Sequence, residues 1–110
     1  MTLETRALMN HLCLRIVAAL RNGPRRFNDL ERAVGAPHPP ALSSRLKRMA
    51  RDGLVVRTVI ESGPPAHVEY ALTPLGRDLL KPASGLLDWV AINGETITFA
   101  REQYHAARVS

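Results

Sequence analysis

The sequence predicts a mainly α domain with a small β-hairpin, an α+β chain ordered helix, helix, helix, hairpin, helices. Three observations carry that expectation. Apolar residues return at three- and four-residue steps in stretches separated by Gly and Pro. A β-branched run (54–60) and an alternating run (67–72) flank a turn-rich segment. The chain is 110 residues long, which suits one small domain.

Residues 5–22 read as the first helix, because Leu8, Leu12, Ile16, Val17 and Leu20 recur at helical spacing. Asn22-Gly23-Pro24 ends it: Gly suits the position past a helix end, and Pro cannot continue the ladder. Arg25-Arg26-Phe27 is a short extended link. Asn28 is the expected N-cap of a short second helix over 28–34, with Asp29 and Glu31 complementing its dipole and Leu30 and Val34 inward. The breaker-rich segment 35–40 forms a turn whose His38 stands at the cap position of the next helix. That third helix starts near Pro39 or Pro40, since the first turn tolerates proline, and runs to about Asp52, where Gly53 caps it.

Leu54 to Ile60 is the outgoing strand, 61–66 the turn, and His67 to Leu72 the returning strand. Thr73-Pro74 sets an N-cap before a proline at the first helical position, so a fourth helix opens there. It passes Leu75, Leu79, Leu80, Leu86, Leu87 and Trp89, with a bend expected at Pro82 and Gly85. Asn93-Gly94 is expected to break it, leaving a last helix from Glu95 to about Arg108.

Two helices joined by a tight turn and followed at once by a two-stranded ribbon make the winged helix-turn-helix plan. There the second helix of the pair lies in the major groove of DNA, which is wide enough to admit it. The expected organisation is one domain over 1–110: helix-turn-helix 28–53, wing 54–73, and dimerisation helices over 1–22 and 74–110.

Charge supports that plan. The net charge is +5, and between Arg25 and Asp52 seven Lys/Arg face three acids, whereas from Pro74 onward the count is four against four. A clustered basic excess is the electrostatic footprint of nucleic-acid binding. The few aromatics (Phe27, Tyr70, Trp89, Phe99 and Tyr104) argue against stacking of single strands. One cysteine, Cys13, excludes an intrachain disulfide framework and makes a reducing cytoplasm the expected setting. MTLETRALM carries an acid and no long apolar run, so no signal peptide is expected, and no window is apolar enough to span a membrane.

Three motifs resemble the HxlR family of bacterial transcriptional regulators, a branch near the MarR-type winged-helix proteins. They are G-P-x-R-F-x-x-L at Gly23, L-x-x-R-L-x-x-[LM]-x-x-[DG]-G-L-V at Leu42, and V-E-Y-x-L-T-x-x-G-R at Val68. The later Asp88-Trp89 adds to the likeness, which covers about 14–89. The resemblance implies homodimers that present one recognition helix to each half-site, with contacts from the first and C-terminal helices. It also implies transcriptional regulation, sometimes through a reactive cysteine ahead of the first helix. Cys13 falls inside that helix instead, so redox sensing is not carried over; it most simply packs, and a sensor role would need a lowered pKa and exposure. Pro39 and Pro40 stand where such helices usually offer polar side chains, which moves base readout farther along.

Within the third helix Leu42, Leu46 and Met49 form the core stripe, leaving Ala41, Ser43, Ser44, Arg45, Lys47, Arg48 and Arg51 for DNA. Ser43 and Ser44 can bond phosphates or base edges, and Arg45 and Arg48 can fork onto guanine or grip phosphate. A solvated face would carry mixed signs, yet 41–51 holds no acid. Arg25 and Arg26 stand where phosphates would run, and Arg57 can reach them from the wing or lie beside Glu69 as a surface charge. Leu8, Leu12, Leu86, Trp89, Val90, Ile97, Phe99 and Tyr104 are more apolar than a solvated surface needs, which suits a homodimer interface. A small-molecule effector held between subunits is the alternative use of that surface, and both can coexist. His11, His38, His67 and His105 show no ligand spacing, and no nucleophile–base set is visible, so neither metal, cofactor nor enzyme activity is expected. The rival reading is a winged-helix interaction module whose basic face meets an acidic protein.

Overall fold

A computed structural model describes residues 10–35, 39–62 and 65–109. Helix α1 (His11–Ala19) opens on Asn10, whose side-chain oxygen accepts from the N–H groups of Leu12 (2.9 Å) and Cys13 (3.2 Å). The expected earlier turn, with Leu8, lies outside the described residues. Cys13, Leu14, Ile16, Val17 and Leu20 are buried. The helix ends three residues before the expected Asn22.

Residues read as a link form strand β1 (Arg25–Arg26), which pairs with β3 through Arg25↔Tyr70 and Arg26↔Glu69. That pairing places Arg26, not Asn28, at the N-cap of α2 (Phe27–Val34), and Arg26 makes no side-chain cap bond. Phe27 is thereby drawn into the helix and packs against the core. Gly35 closes α2 with φ +65°, its N–H bonding the Glu31 carbonyl at 3.0 Å. The turn 36–38, with the expected cap His38, lies outside the described residues.

Helix α3 (Pro39–Arg51) buries Leu42, Leu46 and Met49, the expected stripe. It exits through Gly53 at φ +78°: the Leu54 N–H bonds the Met49 carbonyl (2.9 Å) and the Gly53 N–H that of Ala50 (3.2 Å). Strands β2 (Val55–Ile60) and β3 (His67–Leu72) follow, and the antiparallel sheet has the order β1-β3-β2.

Thr73 caps α4 (Pro74–Asp78), its hydroxyl oxygen accepting from the Gly76 N–H at 3.0 Å. In place of the single helix expected to bend at Pro82 and Gly85, the structure has an interruption at Leu79, and α5 (Leu80–Val109) then runs for 30 residues. Pro82 causes this: it lacks an N–H, so it fits the first turn of a new helix, where that donor has no partner anyway. Asn93-Gly94 breaks nothing. The Asn93 amide donates to the Trp89 carbonyl at 2.9 Å, and the helix passes through Gly94. A 30-residue helix is about 45 Å long. The radius of gyration is accordingly 17.0 Å, against about 13 Å for a compact chain of this length.

Gly76 touches the backbone of the α3 exit. A Cβ there would stand 2.1 Å from the Leu54 carbonyl oxygen, whereas one on Gly85 would meet nothing within 4 Å. In urea denaturation Gly76→Ala is expected to lose about 1–3 kcal/mol. Gly85→Ala, in an exposed helix position, is expected to gain up to about 1 kcal/mol.

Candidate nucleic-acid interface

Burial of Leu42, Leu46 and Met49 decides which side of α3 faces out. Ser44, Lys47, Arg48 and Arg51 are exposed and share roughly 100° of the helix circumference, since each residue turns about 100°. Ala41 is exposed beside them, while Ser43 and Arg45 flank the face and are half-buried. Burial raises the pKa of the Cys13 thiol, and the Arg45 charge acts to lower it. Among the described residues none of these cations makes an ion pair; the two such contacts are Arg32–Asp29 and His67–Glu69. The face is therefore an uncompensated positive surface.

The sheet separates the other expected contacts. Arg25, Tyr70 and Arg57 stand opposite one another across the three strands, and Arg26, Glu69 and Thr58 form the next row. Successive strand residues point to opposite faces, so Arg25 and Arg26 cannot meet the same phosphate. The Arg25 Nε donates to the Ala19 carbonyl at 2.8 Å, which ties it to α1 and away from the exposed face of α3. Arg26 is exposed. Arg57 is exposed on β2 and does not pair with Glu69, whose carboxylate meets the His67 Nε2 at 2.9 Å. The tip residues 63–64 lie outside the described residues.

Of the expected dimer surface, Leu12 packs on the chain's own core, Ile97 is half-buried, and Leu86, Trp89, Val90, Phe99 and Tyr104 are exposed. Ile92, also on α5, is 78% exposed. No described helix is long and apolar enough to cross a membrane, and the described residues hold no cluster of three or more His, Cys, Asp or Glu fit for a metal.

Residues 8–98 match the sequence profile of the HxlR-like helix-turn-helix proteins. The chain belongs to the HxlR-like family of DNA-binding transcriptional regulators. Membership agrees with the plan built above: a helix pair, a wing and a long terminal helix. The HTH-type transcriptional regulator YtfH of Escherichia coli K12 is 34% identical over 103 residues, covering 90% of this chain and 81% of that one. The solved transcriptional regulator YtfH of Salmonella typhimurium is similar with a TM-score of 0.77 and 32% identity, covering 90% and 88% of the two chains. The redox regulator HypR in its oxidised form is similar at 26% identity with a TM-score of 0.73, covering 82% and 92%.

Within this HxlR-family chain Cys13 has the environment of a packing residue. It is 2% exposed, and burial pushes its thiol above the ordinary value of 9.0, with Arg45 opposing the shift and Asp52 adding to it. A folded-state pKa raised above the unfolded one favours folding below the unfolded value and loses that contribution as pH rises through the folded value. Stability is therefore expected to fall as pH climbs above about 9, less steeply in Cys13→Ala. Iodoacetamide at neutral pH is expected to label Cys13 far more slowly in native protein than in urea.

Proposed function

We propose that the chain binds double-stranded DNA in the cytoplasm as a sequence-specific homodimer, with α3 of each protomer in the major groove. The outward face Ser44-Lys47-Arg48-Arg51 carries this reading: it is acid-free, free of ion pairs among the described residues, and aimed by the stripe buried behind it. Arg48 and Ser44 would meet base edges and Lys47 and Arg51 phosphates, and Ala41 leaves room for close approach. Ser43 and Arg45 act at the margins of the groove. Arg26 and Arg57, on opposite faces of the sheet, would reach different flanking phosphates from β1 and the wing, while Arg25 supports α1.

A second protomer is the occupant of α5. Among the described residues, this helix adds none to the core cluster beyond Leu87. Leu86, Val90, Ile97 and Tyr104 recur at steps of four and seven, the spacing of a helix–helix seam. Ile92 and Phe99, seven apart, make a second apolar line. Two protomers joined in this way would set two copies of α3 about one helical turn apart on a pseudo-palindromic site.

Anisotropy titrations against duplexes selected in vitro test the reading. Lys47→Ala/Arg48→Ala/Arg51→Ala is expected to abolish specific binding, and Arg48→Ala alone to cost about 1–3 kcal/mol. Removing one phosphate-binding cation is expected to lower the salt slope by about one. Unchanged affinity and salt slope in the triple variant would overturn the reading. Selection that returns no sequence preference would favour an acidic protein partner instead. Val90→Glu/Ile97→Glu is expected to reduce the sedimenting species to the 12.1 kDa protomer and to weaken DNA binding with it.

A further inference from the structure

A cleft of about 450 Å³ lies on the side of the molecule built from α1, β1, α2 and α5. Arg15, Arg21 and Arg25 line it, with Ala18, Ala19 and Leu87 among its apolar walls, and among the described residues no carboxylate lines it. None of its lining residues belongs to α3 or to the wing strands, so it is separate from the proposed DNA face. Its volume falls in the range of small-molecule sites, about 300–1,000 Å³.

Three guanidiniums in one concavity repel one another unless an anion joins them. Among the described residues Arg15, Arg21 and Arg25 make no ion pair. One of the three is fixed by a hydrogen bond, and a second lies close against the end of α2. The Arg25 Nε bond to the Ala19 carbonyl fixes that side chain against α1 and leaves its terminal N–H groups for another acceptor. The Arg15 Nη2 lies 3.0 Å from where a Cβ on Gly35 would stand, so the glycine admits it against the end of α2. Guanidinium donors in a fork match the two oxygens of a carboxylate. The alanine and leucine walls suit an apolar body, which a bare inorganic anion lacks.

We propose that this cleft binds a small organic carboxylate, its anion held by Arg15, Arg21 and Arg25 and its short apolar tail laid on Ala18, Ala19 and Leu87. The ligand would bridge the helix-turn-helix half of the domain and α5. The inference does not rest on the DNA reading, and its test contains no DNA.

Calorimetry with hexanoate, its neutral counterpart hexanamide and inorganic phosphate tests the site, together with arginine Nε resonances of the labelled protein. Charge-assisted hydrogen bonds separate hexanoate from hexanamide by about tenfold or more in affinity. Hexanoate is expected to shift the Arg15, Arg21 and Arg25 signals of the wild-type protein. Arg15→Gln/Arg21→Gln is expected to lower hexanoate affinity by about tenfold or more. Equal binding of hexanamide, phosphate binding as tight as hexanoate, or an unaltered double variant would each overturn the proposal. Resonances of these three arginines that do not respond in the wild-type protein would overturn it even if the double variant failed to fold.

Discussion

The Leu54 carbonyl is where α3, the β2–β3 hairpin and α4 meet. Its oxygen accepts from the Thr73 N–H at 3.1 Å, and the Thr73 hydroxyl donates to the neighbouring Gly53 carbonyl at 2.6 Å. The same hydroxyl oxygen caps α4 by accepting from the Gly76 N–H. Gly76 presses on Leu54 so closely that no side chain fits between them. Residues 53–54 leave α3 and residues 73–76 leave β3, so this contact closes the hairpin at its base and fixes the angle at which α3 enters it. Met49, Leu54, Val55 and Leu72, all buried around it, leave the junction little freedom to rotate.

With the exit of α3 fixed, its charge acquires a direction. A basic helix with mobile ends could turn any side outward. Here the buried Leu42, Leu46 and Met49 hold one side against α1 and the sheet, and the cations opposite lie in a single patch. A one-sided basic patch of this kind attracts phosphates at long range. Farther along the chain, α5 leaves Leu86, Trp89, Val90, Ile92, Phe99 and Tyr104 exposed, an apolar line on a helix whose first turns pack on the core through Leu80, Ala83 and Leu87.

Much of this was legible in the sequence. The stripe of α3, the Gly53 exit, both hairpin strands and the Thr73-Pro74 start depend on short-range rules of period, capping and turn chemistry, and all lie where those rules put them. The differences come from tertiary contacts or from rules in competition. Two residues have no periodicity, so β1 shows only when Tyr70 and Glu69 come alongside, and that pairing moves the α2 cap from Asn28 to Arg26. Pro82 was legible as a disturbance but not as the first turn of a restarted helix. Asn93-Gly94 looks like a stop, yet the Asn93 amide bonds back to Trp89 and the ladder continues. The Arg15–Arg21–Arg25 cleft had no sequence signal, because its walls come from separated segments that only the fold assembles.

The central claim is that the outward face of α3 reads the major groove from two protomers. Dimethyl sulfate protection of guanine N7, on a duplex selected by the protein itself, tests it most directly, because N7 lies on the major-groove edge. The account predicts two protected clusters about one helical turn apart, both lost when Lys47, Arg48 and Arg51 are replaced together. Protection confined to minor-groove positions, or a single cluster that survives the replacement, would contradict it.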